Sequence, residues 1–206
     1  MKITRLSAAV LVTGLTLISL QTAAFADDMK NTTEASKVNK GASADANVLP
    51  NTMAVTDAQI AEIVKTANNG EIDAAKYAKS HSKNPQVKEF AMMMIKAHET
   101  NNKQANALAK KLDITPTDSD ASKNLKMSAN MDLKNLKSKK GDDLDRAYAE
   151  SQVTMHNTVL ASLDNTLIPS AQNADLKAML QKTRGDVAMH LEHAKALQES
   201  VNSHKM

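Results

Sequence analysis

The sequence predicts an all-α fold: a four-helix bundle of two antiparallel hairpins, joined by a long crossover that contains a short helix. From Thr56 onward apolar residues recur every three to four positions, the period of a helix that buries one face. No stretch alternates apolar and polar residues with a period of two, so strand signals are absent. Breakers fall at SHSKNP, ITPTDSD and IPSAQN, and the first and last are short enough to turn one helix back on the next.

Each element has a local reason. Helix 1 is expected over about 57 to 80. Thr56-Asp57-Ala58-Gln59 is a capping box, in which the Thr hydroxyl accepts an early amide and Gln59 reaches back. Its apolar stripe reads Ile60, Val64, Ala67, Ala74 and Ala78, with Glu71 in the middle of it. Helix 2 starts from Asn84 as N-cap with Pro85 in its first turn, and runs to about Leu112 with Val87, Ala91, Met94, Ala105 and Leu108 on one face. ITPTDSD ends it at Pro116. A lysine-rich, weakly amphipathic segment (Leu125, Met127, Met131, Leu133, Leu136) supplies the short crossover helix. Gly141 and Asp142 open helix 3, about 143 to 166, with Tyr148, Val159 and Leu163 among its apolar positions. Helix 4, about 174 to 200, shows Leu176, Leu180, Val187, Leu191, Ala194, Leu197 and Val201.

The N-terminus bears on location. Lys2 and Arg5 precede an uncharged, mostly apolar run from Leu6 to about Leu20, and Ala24-Phe25-Ala26 closes it, the layout of a cleavable signal. The run is shorter than the ~20 residues of a membrane span. The expected organisation is a signal peptide over 1–26, a disordered tether over 27–55 and the bundle over 56–202. Residues 27–55 are too poor in apolar surface to offset the entropy of ordering. The expected location is the periplasm or the exterior, with association to the outer membrane as an alternative, and no transmembrane segment is expected in the mature chain.

Composition narrows the chemistry. The absence of cysteine excludes disulfides, thiol catalysis, thiolate metal sites and a lipid-modified Cys. Without the signal, 24 basic residues face 23 acidic ones, so charge does not mark a nucleic-acid binder. Tyr77, Phe90 and Tyr148 are the only aromatics after Ala26, too few to stack bases. The basic crossover (Lys123, Lys126, Lys134, Lys137, Lys139, Lys140) is read as a solvated face, with an anionic envelope surface as the alternative partner. No nucleophile elbow, phosphate loop or Ser/His/Asp spacing supports hydrolase chemistry.

What remains is a constellation on the apolar stripes. His98 falls between Met94 and Ala105, His156 between Tyr148 and Leu163, and His190 between Val187 and Ala194. Each long helix thus carries one ligand type: Glu71, His98, His156 or His190. Glu71 lies 13 residues before Asn84 and His98 14 after it, while His156 and His190 lie 17 to either side of Asn173. At about 1.5 Å per residue the members of each pair share a level. Three imidazoles and a carboxylate make a four-ligand set for Zn(II), and also suit Cu(II), Fe(II) or Ni(II). The competing reading is a metal-free polar network that fixes core geometry. Asp186 and His193 share a helical face with His190 and are peripheral candidates. Methionines near the histidines invite copper, but core filling explains them better.

The run NGEIDAAKYAKSHSKNPQVKEFAMMMIKAHETNNKQANALAKKL resembles the first hairpin of a bacterial exported ferritin-like family, domain of unknown function 4142. DRAYAESQVTMHNTVL is similar to its third helix and NADLKAMLQKTRGDVAMHLEHAKAL to its fourth. The resemblance implies a ferritin-like bundle whose biochemical role is not established, and it carries over Glu71, His98, His156 and His190 but not His193. A di-iron bundle pairs Glu with His three residues later. Here Ile95 and Val187 stand in those positions and helix 3 offers His156, so ferroxidase activity is not inherited. The first reading is therefore a non-enzymatic binding or structural protein of the bacterial envelope, acting in stress. The second is a periplasmic protein that buffers or carries a transition ion, and a redox enzyme comes third.

Overall fold

The computed structural model describes residues 55–203. The expected signal, and all of the expected tether but its last residue, lie outside them. The described residues are helical throughout their regular structure, without a strand. In order they form α1 (Asp57–His81), α2 (Pro85–Lys111), α3 (Asp120–Lys137), α4 (Asp142–Ser162), a π-helical segment (Leu163–Leu167), the single turn α5 (Ile168–Ser170) and α6 (Ala174–Ser203). α1 packs along α2, and α4 along α6; α2 also meets α6, and α1 meets α4. Among the described residues no helix is long and apolar enough to cross a membrane.

The caps act where the sequence places them. Thr56 Oγ1 accepts from the Gln59 amide at 3.3 Å while Gln59 Oε1 accepts from the Thr56 amide at 3.0 Å. Asn84 Oδ1 accepts from the Gln86 amide at 2.9 Å, with Pro85 in the first turn, where its missing N–H leaves nothing unsatisfied. Asn173 caps α6 through the amides of Asp175 and Leu176, at 2.9 and 3.2 Å. The Asp57 carboxylate accepts from the backbone of Gln172 and Asn173 at 2.9 and 3.0 Å, which ties the turn before α6 to the start of α1.

Two elements depart from expectation. The crossover helix is not a short aside: α3 is 18 residues long and lies against α1. A Cβ built at Gly70 would stand 2.8 Å from the Ala129 methyl, so the glycine in mid-helix is the notch that admits α3. Ser122 and Leu136 are its buried residues and Leu125 packs against the core, while Met127 and Met131 are exposed rather than on a buried face. The second departure is in the third long helix, expected as one α-helix to 166. It widens after Ser162, where the Ile168 amide reaches the Leu163 carbonyl five residues back. Pro169, which has no N–H to give, follows directly. The wider turn buries both Leu163 and Leu167.

The apolar interior falls into two clusters. One gathers Ala78, Val87, Phe90, Met94, Leu144, Tyr148 and Leu197 at the end that holds the α1–α2 turn. The other gathers Ile60, Val64, Leu163, Leu176, Leu180 and Val187 at the opposite end. Most buried polar residues of the long helices lie between these clusters: Asn68 and Glu71 on α1, His98 on α2, Gln152 and His156 on α4, and His190 on α6, whereas Asp145 and Thr183 fall within the clusters themselves. A polar belt crosses the middle of the molecule.

Candidate metal centre

The belt brings three of the sequence-predicted residues together. His98, His156 and His190 are all buried, and each presents a ligand atom such that the three atoms lie within 4.8 Å of one another. Their ring centroids are 5.5 to 6.1 Å apart, and the rings are mutually inclined rather than stacked. Equal counts from the α4–α6 turn put His156 and His190 at one level, and the ring contacts bring His98 to it.

The surrounding hydrogen bonds fix the protonation of two rings. Asn68 Nδ2 donates to Asn101 Oδ1 at 2.8 Å and to Asn102 Oδ1 at 2.9 Å. With both amide protons used, the Asn68 oxygen is an acceptor, so His98 Nδ1, 2.9 Å away, donates to it. His156 Nδ1 donates to the backbone carbonyl of Gln152 at 2.8 Å, since a carbonyl can only accept. In both neutral rings Nε2 then carries a lone pair. Those two Nε2 atoms, and Nδ1 of His190, are buried without a hydrogen-bond partner. Asn101 is itself held, donating to Thr183 Oγ1 at 2.9 Å, and Asn102 donates to Asn69 Oδ1 at 3.0 Å.

Electrostatics keep these rings neutral. Burial, reinforced by His190 and His156, pushes His98 down to about 3. Burial and His156 push His190 down to about 4. Burial lowers His156 as well, against the raising effect of its bond to the Gln152 backbone. Neutral imidazole is the form that binds a metal ion. An ion with ~2.0–2.1 Å bonds to nitrogen in tetrahedral geometry needs donors about 3.4 Å apart, a modest contraction of the trio.

Glu71 stands outside this group, although it is buried and lines the same cavity. Its carboxylate accepts from Gln152 Nε2 at 2.7 Å. Burial raises it to about 7; Gln152 opposes the rise and Asp132 adds to it. Asp186 is half-buried at the cavity mouth and takes the Lys182 ammonium at 2.7 Å. His193 is exposed. Among the methionines, Met94 is packed in the apolar cluster near the α1–α2 turn, and Met189 is exposed at the cavity wall.

Gln152 and Asn68 were missed in the sequence. Gln152 serves both Glu71, through its side chain, and His156, through its backbone. It lies four residues before His156, and Asn68 three before Glu71, so helical spacing alone would have put both on the buried stripes.

A family model described as Domain of unknown function (DUF4142) matches residues 40–197. The chain belongs to that family. No curated protein and no solved structure matches it.

Proposed function

We propose that the protein is an exported, ferritin-like helical bundle that binds one transition-metal ion, Zn(II), Cu(II) or Fe(II), through His98, His156 and His190, and that it buffers or carries this ion in the bacterial envelope. One observation carries the reading: three buried imidazole nitrogens, one per ring, lack any partner and sit on rings whose ligand atoms lie within 4.8 Å. Buried polar groups without partners are uncommon, and a cation satisfies all three at once. The pairing of α1 with α2 and α4 with α6 across a long connection supports the ferritin-like assignment. The missing carboxylates argue against a bridged di-iron centre. Export rests on the N-terminal layout of Lys2, Arg5, the apolar run and Ala24-Phe25-Ala26.

A second reading, a metal-free polar belt, is favoured by the Glu71–Gln152 bond, which satisfies the carboxylate without an ion. Elemental analysis of the full chain, expressed without a polyhistidine tag, separates the two. Stoichiometric metal is expected, with a lower melting temperature after chelation, and both effects should vanish in the double variant His98→Ala with His156→Ala. A chain that takes up no metal, and variants that merely melt earlier, would leave the metal-free belt as the answer.

A further inference from the structure

A lone ion is too small for the space at this site. The cavity onto which the three histidines open has a volume of about 400 Å³. That is within the ~300–1,000 Å³ typical of small-molecule sites, whereas packed interiors leave few voids larger than a water. Its walls are chiefly aliphatic, with Ile63, Val64, Val159, Leu163 and Val187 around it. Space remains because Ala67 and Ala97, also on the wall, are small where helix stripes commonly carry larger residues. Lys96 lies exposed at the rim.

The charge balance indicates what belongs there. Three neutral imidazoles leave a divalent ion with its full charge and a fourth position open, and Glu71, which lines the same cavity and accepts from Gln152, is not among the ligand group. An anionic donor in that position adds directly to the charge compensation that Glu71 gives from a distance. The remaining volume, being apolar, favours a hydrocarbon body behind that donor.

We infer that the cavity holds a small apolar monocarboxylate, whose carboxylate ligates the ion bound by His98, His156 and His190 and whose hydrocarbon body lies against Val64, Val159 and Leu163. The inference rests on the metal reading above. Lys96 at the rim draws such an acid toward the opening.

The test uses the full chain loaded with Co(II), whose visible absorption reports a change of ligand. Acetate, butyrate, hexanoate and octanoate are titrated in turn. The expected result is a spectral change with each acid, and a Kd that falls roughly fourfold per added methylene until the cavity is filled, from about 0.8 kcal/mol per buried CH₂. If cobalt binds but every acid matches acetate, the cavity assignment is overturned and the metal site stands. If calorimetry shows the acids binding as tightly after cobalt is removed by chelation, the carboxylate is not on the ion and the inference fails. If cobalt does not bind at all, the metal reading falls and this inference with it.

Discussion

His98 Nδ1 lies 2.9 Å from the side-chain oxygen of Asn68, across the interface of α1 and α2. The Asn68 amide is held in turn by Asn101 and Asn102, so a chain of side-chain amides decides which His98 nitrogen bears the proton. The other nitrogen is left as a buried lone pair beside His156 and His190. A carbonyl-type acceptor behind a metal-binding imidazole orients the ring and raises its basicity.

Asn68→Ala removes that acceptor and leaves His98 free to turn or change tautomer. Metal affinity is expected to fall about 10- to 100-fold, the usual consequence of losing such a partner. Competition against a chromophoric chelator measures it. Unchanged affinity in a folded variant would contradict the role given to the amide chain.

The histidines and Glu71 drive the pH dependence of the ion-free protein in opposite directions. His98 and His190 titrate at about 3 and about 4 when folded, against 6.5 when unfolded. Between those values the unfolded chain takes up protons that the folded chain refuses, so stability falls as pH drops below 6.5. Glu71 titrates at about 7 when folded and 4.5 when unfolded. Its contribution is complete below 4.5 and is lost as pH rises through 7. Glu71→Gln abolishes only this second effect. In urea denaturation the variant should exceed the parent by roughly 3 kcal/mol above pH 8, with the gap closing toward pH 4. A gap that does not vary with pH would show that Glu71 does not titrate in this interval.

Two glycines in helices should respond with opposite signs. Gly70→Ala forces a methyl to 2.8 Å from Ala129, and is expected to destabilise by about 1–3 kcal/mol despite the better helix propensity of alanine. Gly185, exposed on α6, has nothing within 4 Å of an added Cβ. Gly185→Ala should stabilise by about 1 kcal/mol. Chemical denaturation of the two variants side by side decides it; a stabilised Gly70→Ala would mean that α3 does not seat on α1 as described.

Tyr148 is fully buried, and its hydroxyl has no hydrogen-bond partner. Its ring meets Phe90 edge-on, with centroids 6.0 Å apart. Tyr148→Phe keeps the ring contact and removes the unsatisfied hydroxyl, so a melting temperature equal to or above the parent's is expected, from relief of about 1–3 kcal/mol of desolvation. A marked drop would reveal a partner for the hydroxyl.

Legibility of the sequence follows the range of the interactions. Thr56 and Asn84 were readable because a cap is decided within four residues. The shared level of His156 and His190 was readable because counting outward from a turn measures height along a hairpin; that His98 meets them was not, because it depends on how the two hairpins are seated. The partner of Glu71 was not: its stripe position showed burial, but histidines were expected beside it, and Gln152 holds it from α4. The seating of α3 was hidden because it depends on Gly70 meeting Ala129, 59 positions apart in the chain. The π-helical widening likewise answers to how Leu163 and Leu167 bury, with Pro169 as its sole local mark.

The belt of amides and imidazoles has a mechanical consequence. It divides the greasy interior into an upper and a lower storey, and the floor between them has little oily cohesion of its own. In amide hydrogen exchange the middle turns of the long helices are therefore expected to open more readily than the turns inside either apolar cluster. A cation clasped by rings from three of those helices would act as a rivet through that floor, joining two half-cores that otherwise cohere separately.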